Sequence, residues 1–186
     1  MKKLFLLALL ACAARAQAVF DVEASQSRAA FTLGDVLHTV HGKFKVKRGS
    51  IRFDPATGAA SGEIVVDATS GDSGNGDRDK RMHKEILESK EFPEISFVPS
   101  KVHGKVNVNG ESKVEIEGTF TIHGASHPLT ASAVVTASGD RLQAKVHFVV
   151  PYVSWGMKNP SNFLLKVGKT VDVDLEASGH ISWPQD

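Results

Sequence analysis

Histidine, present eight times, is the first candidate for chemistry in this sequence. His38 and His41 stand three apart, a spacing that sets two ligands side by side on a helix but on opposite faces of a strand. His123 and His127 flank a turn and could converge. A zinc site would need further ligands, and the sequence has no second cysteine and no H-E-x-x-H pair. The serines lack the G-x-S-x-G elbow that exposes a nucleophile. Asp172, Asp174 and Glu176 alternate, so they share one solvated strand face, whereas an acid–base pair needs one carboxyl in an apolar pocket. Residues 69–77 (TSGDSGNGD) lead glycine-rich into a helical pattern, but no P-loop lysine-serine pair follows. What remains is Arg78-Asp79 at that loop–helix junction. A charge-assisted bond there would order the loop or meet a ligand headgroup. Catalysis and metal binding are therefore not expected, and no cofactor is implied.

These residues need elements to hold them. Met82, His83, Ile86 and Leu87 form one apolar stripe, which predicts a short α-helix near residues 77–90. Asp77 and Asp79 lie at its positive end, Lys90 near its other end, and Phe92-Pro93 stops it. Elsewhere the period is two. Phe31 and Leu33, then Val40, Phe44 and Val46, alternate with polar neighbours; Arg48-Gly49 reads as a turn before Ile51 and Phe53. Asp54-Pro55-Ala56-Thr57-Gly58 is a turn, Asn109-Gly110 reads as a hairpin, and His123-Gly124 and Ser138-Gly139-Asp140 turn again. Alternation resumes through residues 142–150 and is clearest from Val171 to Ala177. Roughly eight to ten antiparallel strands follow, each with one apolar face. A closed barrel buries that face and removes the sheet edges; a two-layer sandwich satisfies the same pattern.

Residues 1–18 read as a secretory leader: Lys2-Lys3, an apolar run over residues 4–11, and an Ala16-Gln17-Ala18 cleavage site. Leu9-Leu10-Ala11-Cys12 offers the alternative of a lipoprotein anchored through Cys12. The expectation is one domain over residues 19–186, periplasmic or secreted, with no transmembrane segment and no disulfide. That length suffices for one core, burying roughly 70% of the unfolded surface. Loss of the leader's three cations, Lys2, Lys3 and Arg15, turns the formal charge from +1 to −2, which argues against nucleic acid as a partner.

The order of several short blocks is specific where each block alone is weak. Phe31-Thr32-Leu33-Gly34, Val40-His41-Gly42-Lys43-Phe44 and Gly49-Ser50-Ile51-Arg52-Phe53-Asp54 come first. Asn75, Arg78-Asp79 and Met82 precede Phe92-Pro93-Glu94-Ile95-Ser96-Phe97; Gly118-Thr119-Phe120-Thr121-Ile122-His123-Gly124 and Trp155-Gly156-Met157 follow. In this the chain resembles the YceI-like family of exported bacterial lipid-binding proteins. The resemblance implies a lipocalin-like barrel with a long apolar tunnel for polyisoprenoid chains such as isoprenoid quinones or prenyl phosphates. The sequence departs from the family pattern at His83 and in Pro151-Tyr152-Val153-Ser154-Trp155, positions that bear on the ligand more than on the fold.

With that fold, side-chain parity places Phe31, Phe44, Phe53, Phe97, Phe120, Phe148, Trp155 and Phe163 in the apolar cavity, with Arg78 and Asp79 as headgroup or loop-ordering residues. Tyr152, Trp155, Met157 and Phe163 would gather near the mouth, as a gate or as a plug. An eight-stranded barrel is about the smallest that holds a ligand. At ~0.8 kcal/mol per buried CH₂, about twenty methylenes would contribute ~16 kcal/mol before ordering costs, so chain length can supply the binding. The expected function is non-catalytic binding, storage or transport of a long isoprenoid-type lipid or quinone. Alternatives are an envelope module with a filled core and a lipid-modifying barrel enzyme. A homodimer is left open.

Overall fold

The structure, a computed structural model, describes residues 17–34, 39–161 and 166–184. Nine strands form one antiparallel sheet: β1 (Ala18–Val22), β2 (Arg28–Gly34), β3 (Thr39–Phe53), β4 (Ala60–Asp72), β5 (Glu94–His103), β6 (Gly110–Ile122), β7 (Ala125–Ser138), β8 (Arg141–Val150) and β9 (Val171–Ser182). The sheet closes because β2 pairs with both β3 and β9. β1 also pairs with both, further along, so β1 and β2 are two lengths of one stave. A 3₁₀ turn over Ala24–Gln26 separates them, and Ser27 stitches the break to β9, accepting from the Ser178 N–H at 3.0 Å. The result is an eight-stave barrel, and the sandwich alternative falls.

Two expected turns are not turns. β3 runs unbroken through Arg48-Gly49. Between the pairs Val46↔Val66 and Arg48↔Val65 it advances two residues while β4 advances one, which makes Lys47 the extra residue of a β-bulge. Consecutive Lys47 and Arg48 consequently reach the same carboxylate, Glu94, at 2.7 and 2.9 Å. The bulge reverses parity, and this is how even-numbered Phe44 and odd-numbered Phe53 both face inward along one strand. Asn109-Gly110 is not a two-residue hairpin either: β5 ends at His103 and β6 starts at Gly110. Asn107 organises the longer loop, its N–H donating to Ser112 Oγ at 2.9 Å and its amide to the Glu111 carbonyl at 3.0 Å. His123-Gly124 is a two-residue turn, with φ of 52° and 71° joining the pair Ile122↔Ala125.

The expected helix is shorter and is wound in two ways. α1 spans Gly76–Arg81 and continues as a π-helical stretch over Met82–Ile86; Lys90 falls in the turn beyond. Asn75 caps α1, its Oδ1 accepting from the Arg78 N–H at 3.0 Å. The wider winding, with the Leu87 N–H bonded to the Met82 carbonyl, rotates Met82, Ile86 and Leu87 toward the barrel interior. His83 leaves that stripe. Its ring bridges Gly71 O and Ser89 Oγ, both at 2.9 Å, tying the helix to the loop before it and the turn after it.

Candidate functional site

Inward side chains from all eight staves enclose a cavity of about 640 Å³. Its wall alternates bulky and small residues. Phe31, Phe44, Phe53, Phe97, Phe120 and Phe148 all line it, as parity predicts. Among them stand Ala29, Ala131, Ala144 and Ala177, and these alanines keep the interior from filling. Sequence reasoning passed over them. Their signal was the period-two run of small residues along β7, where Ala131, Ala133 and Ala137 are all buried. Gly42 has the same effect on Phe31: a Cβ there would fall 2.2 Å from the phenyl ring, so the ring folds over bare backbone.

The cavity is long and narrow. Leu142 and Val150, eight residues apart on β8, both line it, a run of roughly 27 Å along the strand at ~3.4 Å per residue. The volume spread over that length gives a section of about 25 Å², room for one hydrocarbon chain at ordinary van der Waals separations of ~4 Å. Its polar lining residues, Ser96 and Tyr152 apart, gather at the helix end: Ser73, Asn75, Asp77, Arg78 and Arg81. The interior is therefore amphipathic along its axis.

At that rim Arg78 and Asp79 both converge on Ser73. The Arg78 guanidinium donates to Ser73 Oγ and to its carbonyl, each at 2.8 Å, while an Asp79 carboxylate oxygen accepts from the Ser73 N–H at 3.0 Å and from its hydroxyl. Loop ordering is what this geometry performs; Arg78 in addition borders the cavity and Asp79 does not. Arg81, which the sequence reading missed, lines the rim with its Nε on Glu85 at 3.3 Å. Tyr152 is buried against the cavity with its hydroxyl donating to the Gly168 carbonyl at 2.7 Å, and burial raises its pKa.

The other expectations resolve individually. Trp155 is not part of the lining; its ring stacks on His127 and tilts against Phe120, 5.9 Å between centroids, so it covers the wall from beside the cavity. Phe163, His38 and Cys12 lie outside the described residues. His123 and His127 do not converge: His123 bonds Glu88 at 2.7 Å while His127 meets Trp155. The Asp172, Asp174 and Glu176 row faces solvent, with His147 on Asp174 at 2.9 Å and Arg28 on Glu176 at 3.0 Å. Among the described residues no three His, Cys, Asp or Glu side chains gather as metal ligands, and no helix is long and apolar enough to cross a membrane.

A YceI-like domain model matches residues 20–178, nearly the whole barrel. This chain belongs to the YceI-like family. Among its relatives, a UPF0312 protein of Pseudomonas putida strain W619 is 28% identical over 149 residues, covering 75% of this chain and 73% of that one. A UPF0312 protein of Vibrio parahaemolyticus is 31% identical over 103 residues, covering 54% of this chain and 52% of its own. The match thus spans only about half the length of the Vibrio relative. The fold recurs in solved structures. BcnA of Burkholderia cenocepacia superposes with a TM-score of 0.70 at 18% identity, over 86% of this chain and 99% of that one. A polyisoprenoid binding domain from Saccharophagus degradans, implicated in plant cell wall breakdown, superposes with a TM-score of 0.67 at 16% identity, over 89% and 98%.

Proposed function

We propose that this YceI-like protein binds a single long isoprenoid-type lipid, chain inward and headgroup at the Ser73–Arg81 rim, and performs no chemistry on it. The observation that carries this reading is the continuous apolar cavity of about 640 Å³, polar at one end only. A void of that size is expensive when empty. Its apolar lining forgoes the dispersion contacts that a packed interior would supply. Filling it with a hydrocarbon chain recovers many of those contacts. The volume also sits inside the roughly 300–1,000 Å³ range of small-molecule sites.

The Saccharophagus neighbour, a polyisoprenoid binding domain, supports an isoprenoid or a quinone over a straight acyl chain. Storage or transport in the bacterial envelope fits the leader-like residues 1–18, with release into the periplasm or beyond, or anchoring through Cys12. A filled-core envelope module would need side chains where the cavity lies, and a lipid-modifying enzyme would need polar groups converging midway along the bore rather than at its rim.

Gentle purification from the native host, organic extraction and mass spectrometry test the reading. The expected result is about one isoprenoid lipid per protein molecule, since the bore admits one chain. Folded protein that repeatedly yields no lipid, under extraction that preserves bound quinones, would sink it.

A further inference from the structure

One side of the barrel wall is not closed by backbone. β7 and β8 pair from Ser138↔Arg141 to Ser132↔His147, and among the described residues the ladder stops there. β7 nevertheless runs back to Ala125, paired on its far side with β6, and β8 runs on to Val150, paired on its far side with β9. Residues 129–131 and 148–150 therefore form the two lips of a slit about 10 Å long at ~3.4 Å per residue, and the rest of β7, back to Ala125, faces the segment that follows β8. Both lips border the cavity, through Leu129 and Ala131 on one side and Phe148 and Val150 on the other. Pro128 lies just before the β7 lip, an edge position where a missing N–H is tolerated.

Side chains span the slit. Phe120 of β6 meets Phe148 of β8 edge-on, 5.4 Å between centroids. Trp155, from the segment of residues 151–157, lies flat on His127, 4.0 Å away and 3° from parallel. The main-chain bonds donated by Trp155, Gly156 and Met157 stay inside that segment, Tyr152 N–H donates back to the Val150 carbonyl of β8, and Gly156 sits at φ 93°. Its outward ties are Tyr152 to the Gly168 carbonyl and, just beyond, Lys158 to Glu85 at 3.3 Å.

His127 Nε2 is buried under this stack with no hydrogen-bond partner among the described residues. A bare lone pair is tolerated there; the N–H of an imidazolium would be a buried donor without an acceptor. The charged groups on the neighbouring elements are His123 with Glu88 at the β6–β7 turn and Lys158 with Glu85, each satisfied by its own partner, and neither pair reaches Nε2.

We propose that this slit is a side gate to the cavity, latched by Trp155 on neutral His127 and released by protonation of that histidine, so that a bound hydrophobic chain exchanges faster in acid. The proposal rests on the cavity being a lipid site, and its test separates the two. With Trp183→Phe, Trp155 becomes the only indole of two, and acrylamide quenching of lipid-free protein reads the latch directly. Quenching should rise about threefold or more from pH 8 to pH 5, the window in which histidines change charge. His127→Phe, which keeps a flat ring but cannot titrate, should abolish the rise; His127→Gln serves the same purpose if the phenylalanine variant does not fold. In retinol-loaded protein, release should accelerate about tenfold over the same pH interval, lose its pH dependence in the His127 variants, and be fast at every pH in Trp155→Ala. Quenching indifferent to pH, or an unchanged acid response without His127, overturns the latch. Retinol release indifferent to Trp155→Ala overturns the gate. Should retinol fail to load while the quenching behaves as expected, the latch holds and it is the lipid reading that fails.

Discussion

Ala131 shows how a single methyl group defines this interior. It is buried on β7, directly opposite Ile116 on β6, and lines the cavity instead of filling it. Ala131→Phe would place a ring in a bore one chain wide. Lipid recovered per protein should fall from about one to near zero, while the thermal midpoint of the lipid-free protein holds or rises, because burying a phenyl side chain is worth ~1.5–3 kcal/mol. His83 is a residue of the opposite kind, structural and polar. Its ring satisfies both the Gly71 carbonyl and the buried Ser89 hydroxyl. His83→Ala should cost ~1–3 kcal/mol in urea unfolding by stranding these groups, with lipid binding retained in the protein that remains folded. The cavity and its frame thus answer to different substitutions.

At the scale of elements, the decisive device is the one-residue bulge in β3. Without Lys47 the ladder from Arg48 to Phe53 would slip by one, turning Ile51 and Phe53 outward and their polar neighbours in. Deleting Lys47 should therefore abolish soluble, lipid-binding protein, whereas Lys47→Ala, which keeps the count, should leave fold and binding near wild type. The β6–β7 turn makes a second case. Gly124 has φ 71°, and a Cβ there would lie 2.5 Å from the Phe92 ring. Gly124→Ala should destabilise by about 1–2 kcal/mol from the left-handed backbone alone, read as a lower urea midpoint with unchanged slope.

At the scale of the whole molecule, the ion pairs that set its response to acid lie on the outer surface of the barrel and at its helix end. Hydrogen bonds from Arg48, then Lys47, hold the Glu94 carboxyl at about 2, well below its ordinary 4.5. Arg141 lowers Glu23 in the same way, and Lys158 with Arg81 lowers Glu85. A carboxylate with a depressed folded-state pKa contributes stability that is complete above its unfolded value and is lost as the pH falls. Through these carboxylates the unfolding midpoint should fall as the pH drops from 4.5 to about 2, less steeply in Glu94→Gln. Ligand acts in the other direction. Lipid at about a hundredfold over its Kd should add ~2.7 kcal/mol and raise Tm by roughly 5–10 °C, an effect absent in Ala131→Phe.

Period-two alternation and turn residues fixed an antiparallel all-β chain, the resemblance carried by block order implied the barrel, and parity then gave the inward set of six phenylalanines, because each strand of a closed sheet has only two ways to face. Arg78 and Asp79 were legible as a loop-ordering pair for the same local reason: they stand a few residues from the loop they bind. Only the tertiary structure decided that Arg48-Gly49 is a bulge, that Asn109-Gly110 is no hairpin, and that Trp155 covers the wall rather than lining it. Each of these depends on how far a distant strand advances against its partner, a quantity local sequence does not encode. The hollow itself is of this kind. Whether inward alanines meet bulky partners and pack, or face one another across a void, is settled by the radius at which eight staves close.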